Sequence, residues 1–159
     1  MNLKTRVIAL GNMALEGTHR ALLTVTGGRF PHRVGGIQLL ELHTIGRKSG
    51  QRRATLLSTP LQDGDRLILV ASKGGYPDDP IWYKNLVANP DVEITIGGVT
   101  TPMLARTATP DERAKLWPII TEKYRNYASY QRRAGREIPV VICTPLATAD
   151  ETGMDPEAL

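Results

Sequence analysis

Residues 37–59 read Ile37-Gln38-Leu39-Leu40-Glu41-Leu42-His43-Thr44-Ile45-Gly46-Arg47-Lys48-Ser49-Gly50-Gln51-Arg52-Arg53-Ala54-Thr55-Leu56-Leu57-Ser58-Thr59, and this stretch decides the fold. Residues 37–44 and 52–59 are β-branched or leucine-rich runs, and the glycines at 46 and 50 supply the backbone freedom of a tight turn between them. With no helix between them, two such runs pair antiparallel. The same reading extends to residues 66–72, 92–96, 100–106 and 138–143, with hairpin turns at Asp63-Gly64 and Gly97-Gly98. Two helices interrupt the block. Residues 80–87 form a short one, stopped by Asn89-Pro90. The other opens at Thr109 with Pro110 in first position and Glu112 three beyond the cap, a capping box, then runs through Leu116 and Ile120 with a kink expected at Pro118. The sum is an α+β fold: a barrel of about six mostly antiparallel strands with peripheral helices.

Outside that block, Leu3, Val7, Leu10 and Ala14 recur at helical spacing, which predicts an amphipathic helix within residues 1–26. Residues 29–36 read as a basic loop. The barrel domain is assigned to residues 27–147, and residues 148–159, acidic and without apolar periodicity, to a disordered tail. The chain carries 20 Lys and Arg against 16 Asp and Glu; four of the acids lie in the tail, which leaves +8 for the body. Such a field attracts anions without saying which. A lone cysteine, Cys143, excludes an internal disulfide and any multi-cysteine metal site, and its apolar surroundings read as core. His19, His32 and His43 are too scattered to imply a metal, so no metal site is assigned. No apolar run is long enough for a transmembrane span, and a reducing cytoplasm is the simplest compartment.

Three clusters carry chemistry. The turn Gly46-Arg47-Lys48-Ser49-Gly50, with Arg52 and Arg53 after it, gathers four cations and glycine-freed N–H groups around one hairpin, a seat for phosphate. It is not a Walker loop, and taken alone a basic turn is more often a solvated surface feature. Ala71-Ser72-Lys73-Gly74-Gly75 follows a strand and leads into Pro80-Ile81-Trp82-Tyr83-Lys84-Asn85; consecutive glycines allow a close backbone approach, and a helix start favours anions. Tyr124, Tyr127 and Tyr130 fall on one helical face at offsets of three and six. Aromatics at that spacing are usually core. Yet three of the chain's five tyrosines lie within seven residues, which reads as a pocket wall.

With these clusters in view, residues 28–145 resemble the deazaflavin (F420)-dependent nitroreductases and quinone reductases of actinobacteria, which fold as a split β-barrel. The marks are Thr44-Ile45-Gly46-Arg47-Lys48-Ser49-Gly50-Gln51, Val70-Ala71-Ser72-Lys73-Gly74-Gly75, Pro80-Ile81-Trp82-Tyr83-Lys84-Asn85-Leu86, Ala88-Asn89-Pro90, the tyrosine segment and Arg136-Glu137-Ile138-Pro139-Val140-Val141. The resemblance implies that Lys48 and Arg53, with Arg47 beside them, hold the phosphate and glutamate tail of coenzyme F420. It places Ser72, Lys73, Gly75, Pro80, Ile81, Trp82 and Asn85 around the cofactor, and Leu56 and Leu57 against its ring. It implies that Tyr124, Tyr127 and Tyr130 close over a quinone or nitroaromatic acceptor, with Ser72 a further catalytic candidate. Family members often carry proline where Leu56 stands and an aromatic near Ser58, so a wider acceptor pocket is expected here.

The activity so implied is hydride transfer from reduced F420, for which the protein supplies distance, stacking and exclusion of water. Two other readings stay open on the residues alone: a non-catalytic carrier of F420 or a flavin, and a reductase that uses FMN, as related barrels do. A nucleic-acid binder is disfavoured because Trp and Tyr are not interleaved with the basic residues. The first helix could rest on a membrane surface where quinones reside. The sequence does not fix the oligomeric state.

Overall fold

A computed structural model describes residues 33–147. The first helix, residues 27–32 of the expected loop and barrel domain, and the acidic tail lie outside the described residues. Eight strands, β1 (Arg33–Val34), β2 (Ile37–Ile45), β3 (Arg52–Thr59), β4 (Leu61–Asp63), β5 (Arg66–Val70), β6 (Asp91–Ile96), β7 (Val99–Thr107) and β8 (Val140–Pro145), form one curled antiparallel sheet. The order is β1-β2-β6-β7-β8-β5-β4, and β3 pairs with β2 off that path. Three helices are described: α1 (Ile81–Ala88), α2 (Pro110–Lys123) and α3 (Asn126–Ala134). This is the α+β split barrel.

The β2–β3 hairpin turns over the glycine-flanked segment. In the β2–β3 hairpin Ile45 faces Arg52, Thr44 faces Arg53 and Leu40 faces Leu57. Because side chains alternate across a strand, Arg53, Thr55, Leu57 and Thr59 share one face and Arg52, Ala54, Leu56 and Ser58 the other. The former face joins the interior, where Leu40, Leu42, Leu67, Leu69, Ile94 and Val141 pack with Trp82 and Leu86 of α1. β3 closes the barrel through Thr59, whose hydroxyl donates to the carbonyls of Ile68 at 2.8 Å and Leu61 at 2.9 Å.

β5 and β8 are apolar on both faces. Leu67, Leu69, Val141 and Cys143 point inward, while Ile68, Val140 and Ile142 pack outward with Ile120 of α2 and Tyr127 of α3. Continuous hydrophobic runs such as Arg66-Leu67-Ile68-Leu69-Val70 are what a strand covered on both sides requires.

Three expectations need correction. Arg33–Val34, read as part of a basic loop, pairs with β2, since Gly35 and Gly36 at φ 57° and 81° turn the chain straight back. β4 was not expected at all; it is the three-residue continuation of β3 beyond Pro60. The tyrosines do not share one helix. α2 passes through Pro118, where the Thr121 hydroxyl bonds back to the Trp117 carbonyl at 3.0 Å, and ends at Tyr124, which sits in the break before α3. No helix among the described residues is long and apolar enough to cross a membrane.

Candidate functional site

The β2–β3 turn is closed by its own backbone: Gly46 N–H donates to Gln51 O and Gly50 N–H to Gly46 O, both at 2.8 Å. A Cβ at Gly46 would fall 2.5 Å from the Ser49 hydroxyl, so glycine leaves room for that side chain inside the turn. Arg47, Lys48 and Arg53 are exposed and form no ion pair among the described residues. Arg52, counted with them from the sequence, is not available: it points to the other face and binds Glu93 at 2.6 Å. Three cations remain without an ion pair among the described residues.

Asn85, on α1, holds the turn. It is 3% exposed; its Oδ1 accepts from the Arg47 backbone N–H at 3.1 Å and its Nδ2 donates to the Thr44 hydroxyl at 3.3 Å. The buried amide is spent mainly on holding the turn, so Asn85 supports the cations rather than standing free beside them. Trp82, 8% exposed, belongs to the barrel core, and Pro80 before it is buried, whereas Ile81 is 68% exposed. Of the expected contacts on α1, Ile81 is the side chain left open.

Leu56 and Leu57 cannot both lie on one ring through their side chains. Leu57 packs against the interior, and Leu56 points to the opposite face with Ser58. Ser58 in turn meets Tyr127. Burial pushes the Tyr127 phenol's pKa above its usual value, with the Ser58 hydroxyl partly offsetting this and Tyr130 and Tyr124 adding to it. The phenol therefore stays protonated and remains a donor at neutral pH.

Ser72 ends β5's extension and begins a tight turn over Lys73–Gly75; its hydroxyl caps no backbone N–H. Lys73 sits at φ 46°, a left-handed conformation that is uncommon for a side-chain-bearing residue, and its ammonium lies 5.0 Å from the centre of the Tyr76 ring. Gly75 is enforced by its packing as well as by its backbone conformation. It approaches the backbone of Tyr130: a Cβ there would stand 2.8 Å from Tyr130 O and 2.9 Å from Tyr130 Cα. The loop after β5 and the tyrosine helix thus touch main chain to main chain.

The tyrosines meet edge to face in sequence, Tyr124 with Tyr127 at 6.4 Å and Tyr127 with Tyr130 at 5.9 Å between ring centres. They remain one cluster despite the helix break. Tyr127 is 8% exposed and part of the core, while Tyr124 and Tyr130 are half-buried around it. The middle of the stripe is thus core packing, and its two ends keep part of their rings in solvent. The barrel's own hollow, about 110 Å³ and lined by Leu67, Ile94, Ile96, Val99, Thr101 and Met103, involves none of these residues. Cys143 is buried and its thiol is pushed up to about 12 by desolvation, which leaves it unreactive.

Set against known proteins, residues 13–145 match the family described as F420H(2)-dependent quinone reductase. The chain belongs to that family. It is 46% identical over 130 residues to an F420H(2)-dependent quinone reductase of Mycobacterium tuberculosis (strain ATCC 25618 / H37Rv), an overlap of 79% of this chain and 87% of the relative. Among solved structures it is similar to an F420-H2 dependent reductase at 38% identity and a TM-score of 0.59, covering 67% of this chain and 93% of that one. A structure described as a domain-swapped dimer matches at 38% identity and a TM-score of 0.60, covering 67% and 79%. The chain is thus an F420-dependent reductase by family, and reduced F420 is its cofactor. The residues fit that cofactor. Three unpaired cations on a glycine turn suit a phosphate and an anionic tail, and an apolar strand face with a tyrosine cluster suits a flat ring.

Sequence reasoning passed over two features here. Arg136, noted only inside a motif, binds the backbone of the loop at residues 71–78 from nearly sixty residues away. Ser58, noted only as a departure, meets Tyr127. Neither contact has a local sequence signal, because both join segments far apart in the chain.

Proposed function

We propose that this chain moves a hydride from reduced F420 to a quinone or nitroaromatic acceptor held at the tyrosine cluster. The observation that carries the reading is the set of three uncommitted cations, Arg47, Lys48 and Arg53, gathered at one glycine turn of a chain that belongs to this family. The bound deazaflavin supplies the hydride. Arg47, Lys48 and Arg53 bind its anionic tail, the β3 backbone at Leu56 and Leu57 lies along the ring, and Ser72 and Lys73 border it where β5 ends.

On the acceptor side, Tyr124 and Tyr130 stack on a flat molecule and donate to its oxygen as negative charge develops, the logic of an oxyanion site. Tyr127 packs beneath them and keeps their spacing. Ser58, small where relatives often carry an aromatic, leaves the wall wide and favours larger acceptors.

The test is a titration of the purified protein with oxidised F420 and with FMN, followed through tryptophan fluorescence. Turnover with menadione and a nitroaromatic follows. Saturable F420 binding, weaker FMN binding and oxidation of reduced F420 by quinone are the expected results. Binding without turnover would make the chain a carrier, and FMN-supported turnover would move the cofactor assignment. Tyr124→Phe or Tyr130→Phe should lower the second-order rate by roughly threefold to tenfold, the worth of one neutral hydrogen bond of about 0.5–1.5 kcal/mol. Tyr127→Phe should act chiefly on stability.

A further inference from the structure

The loop between β5 and α1 is gripped by one side chain. Arg136 donates from Nε to Tyr76 O at 3.2 Å and from Nη2 to Ala71 O at 3.1 Å, Asp78 O at 3.2 Å and Ser72 O at 3.5 Å. Its Nη1 pairs with the Asp79 carboxylate at 2.7 Å. The side chain is 16% exposed. Carbonyls from both ends of a loop converge on one guanidinium, and only a planar fork can meet so many directions at once. Three residues earlier, Arg133 Nη2 donates to Gly74 O at 3.1 Å.

The loop so held includes Lys73 in its left-handed conformation, a strain that persists only where surroundings enforce it. Arg136 follows Gly135, the left-handed residue that ends α3. The strap therefore runs from the end of the tyrosine helix to the segment that carries Ser72 and Lys73, and the Gly75–Tyr130 backbone contact closes the same junction.

We propose that Arg136 is a positioning residue that locks the 71–79 loop to α3 and so sets the spacing between cofactor and acceptor. It touches neither. The inference rests on the reading of the loop as cofactor-facing and of the tyrosines as acceptor-facing. A spacing residue acts on the chemical step, since small misplacements of reacting groups are costly even when both are bound. A defect in it is not cured by more cofactor, whereas a defect at Lys48 is.

The experiment compares wild type, Arg136→Lys, which keeps the charge but loses the fork, and Asp79→Asn, which keeps the shape but loses the partner. Three readouts are taken well below each melting temperature: amide hydrogen exchange of the cofactor-free protein, the Kd for oxidised F420, and kcat with menadione at saturating reduced F420. Arg136→Lys is expected to speed exchange in residues 71–79 by about tenfold or more while β5 and β8 stay protected. It should lower kcat at saturating cofactor by about tenfold while Kd changes by no more than about threefold. Asp79→Asn should shift the same readouts in the same direction by less. Unchanged loop exchange, wild-type kcat at saturation, or exchange that rises equally across the barrel would each overturn the proposal. If wild type binds no F420, the functional reading falls by itself, and the exchange result alone still decides whether Arg136 locks the loop.

Discussion

Two basic regions of this molecule use their charges in opposite ways. At the β2–β3 turn, Arg47, Lys48 and Arg53 stand exposed with no carboxylate partner among the described residues. Around α2 and α3, Arg106, Arg113 and Arg136 are spent on the chain, whereas Arg125 and Arg132 stay exposed. Arg106 binds Glu112 with both terminal nitrogens, at 2.7 and 2.8 Å; Arg113 donates to Ile138 O at 3.1 Å and Gln131 Oε1 at 3.0 Å and lies 4.3 Å over the Trp117 ring; Arg136 straps the 71–79 loop. Exposed cations left unpaired contribute little to folding and repel one another, so a cluster of them stays free to meet an anion. Cations already saturated by carbonyls and carboxylates have little left for a ligand and hold the scaffold. The turn should therefore tolerate substitution in stability and fail in binding, and the helical end should do the reverse.

The harshest attack on the scaffold side is at Gly75. Alanine there adds a Cβ 2.8 Å from the Tyr130 carbonyl oxygen, at φ 81°, where side chains are strained. Overpacking against backbone and the conformational penalty together should lower unfolding free energy by about 2–5 kcal/mol in urea denaturation. Because the loop and the tyrosine helix meet there, turnover should fall with it. A Gly75→Ala protein as stable as wild type would mean that the junction yields, and the contrast between a rigid end and a free turn would break.

Next in size is the turn itself. Lys48→Ala or Arg53→Ala should weaken F420 binding by about 1.5–3 kcal/mol, the range for hydrogen bonds to charged groups, or roughly tenfold to a hundredfold in Kd. Raised salt should erode wild-type affinity in the same way. Melting temperature should hardly move. If these changes destabilised the fold as much as they weakened binding, the turn would belong with the scaffold.

That difference was only half legible in the sequence. Hairpins at Asp63-Gly64, Gly97-Gly98 and the 46–50 turn were readable because glycine pairs and β-branched runs are local signals, and the capping box at Thr109 is written in four consecutive residues. The pairing of charges was not. Arg47, Lys48, Arg52 and Arg53 look equivalent in the sequence, yet strand alternation turns Arg52 toward Glu93, 41 residues away. The packing of Gly75 was not readable either, since its neighbour, Tyr130, lies on another element. The break between α2 and α3 contains neither glycine nor proline at residues 124–125, so the tyrosines read as one helical face although Tyr124 stands outside both helices. Short strands such as β1 and β4 carry too few residues for a period to show.

The smallest effect expected, and the finest test of the contrast, is at the start of α2. Thr109 Oγ1 accepts from the Glu112 N–H at 3.3 Å, and Glu112 Oε2 accepts from the Thr109 N–H at 2.9 Å while Arg106 grips the same carboxylate. The Arg106 hydrogen bonds, with the Thr109 backbone donor second, hold the Glu112 pKa down from 4.5 to about 2. A carboxyl whose folded pKa is depressed contributes stability above its unfolded value and loses it as pH falls toward the folded one, so this contribution fades between about pH 4.5 and 2. Glu112→Gln keeps a side chain able to cap but removes the titration. It should lower the melting temperature modestly at pH 7, where the ionised carboxylate contributes, and converge with wild type as pH falls across that acid window. Thr109→Ala removes the cap and should cost about 1 kcal/mol at neutral pH. Neither change should alter F420 affinity, because Arg106 is occupied within the chain and faces no ligand. Tighter cofactor binding in Glu112→Gln would show that a cation freed from its carboxylate reaches the site, and the division between the two basic regions would be one of degree.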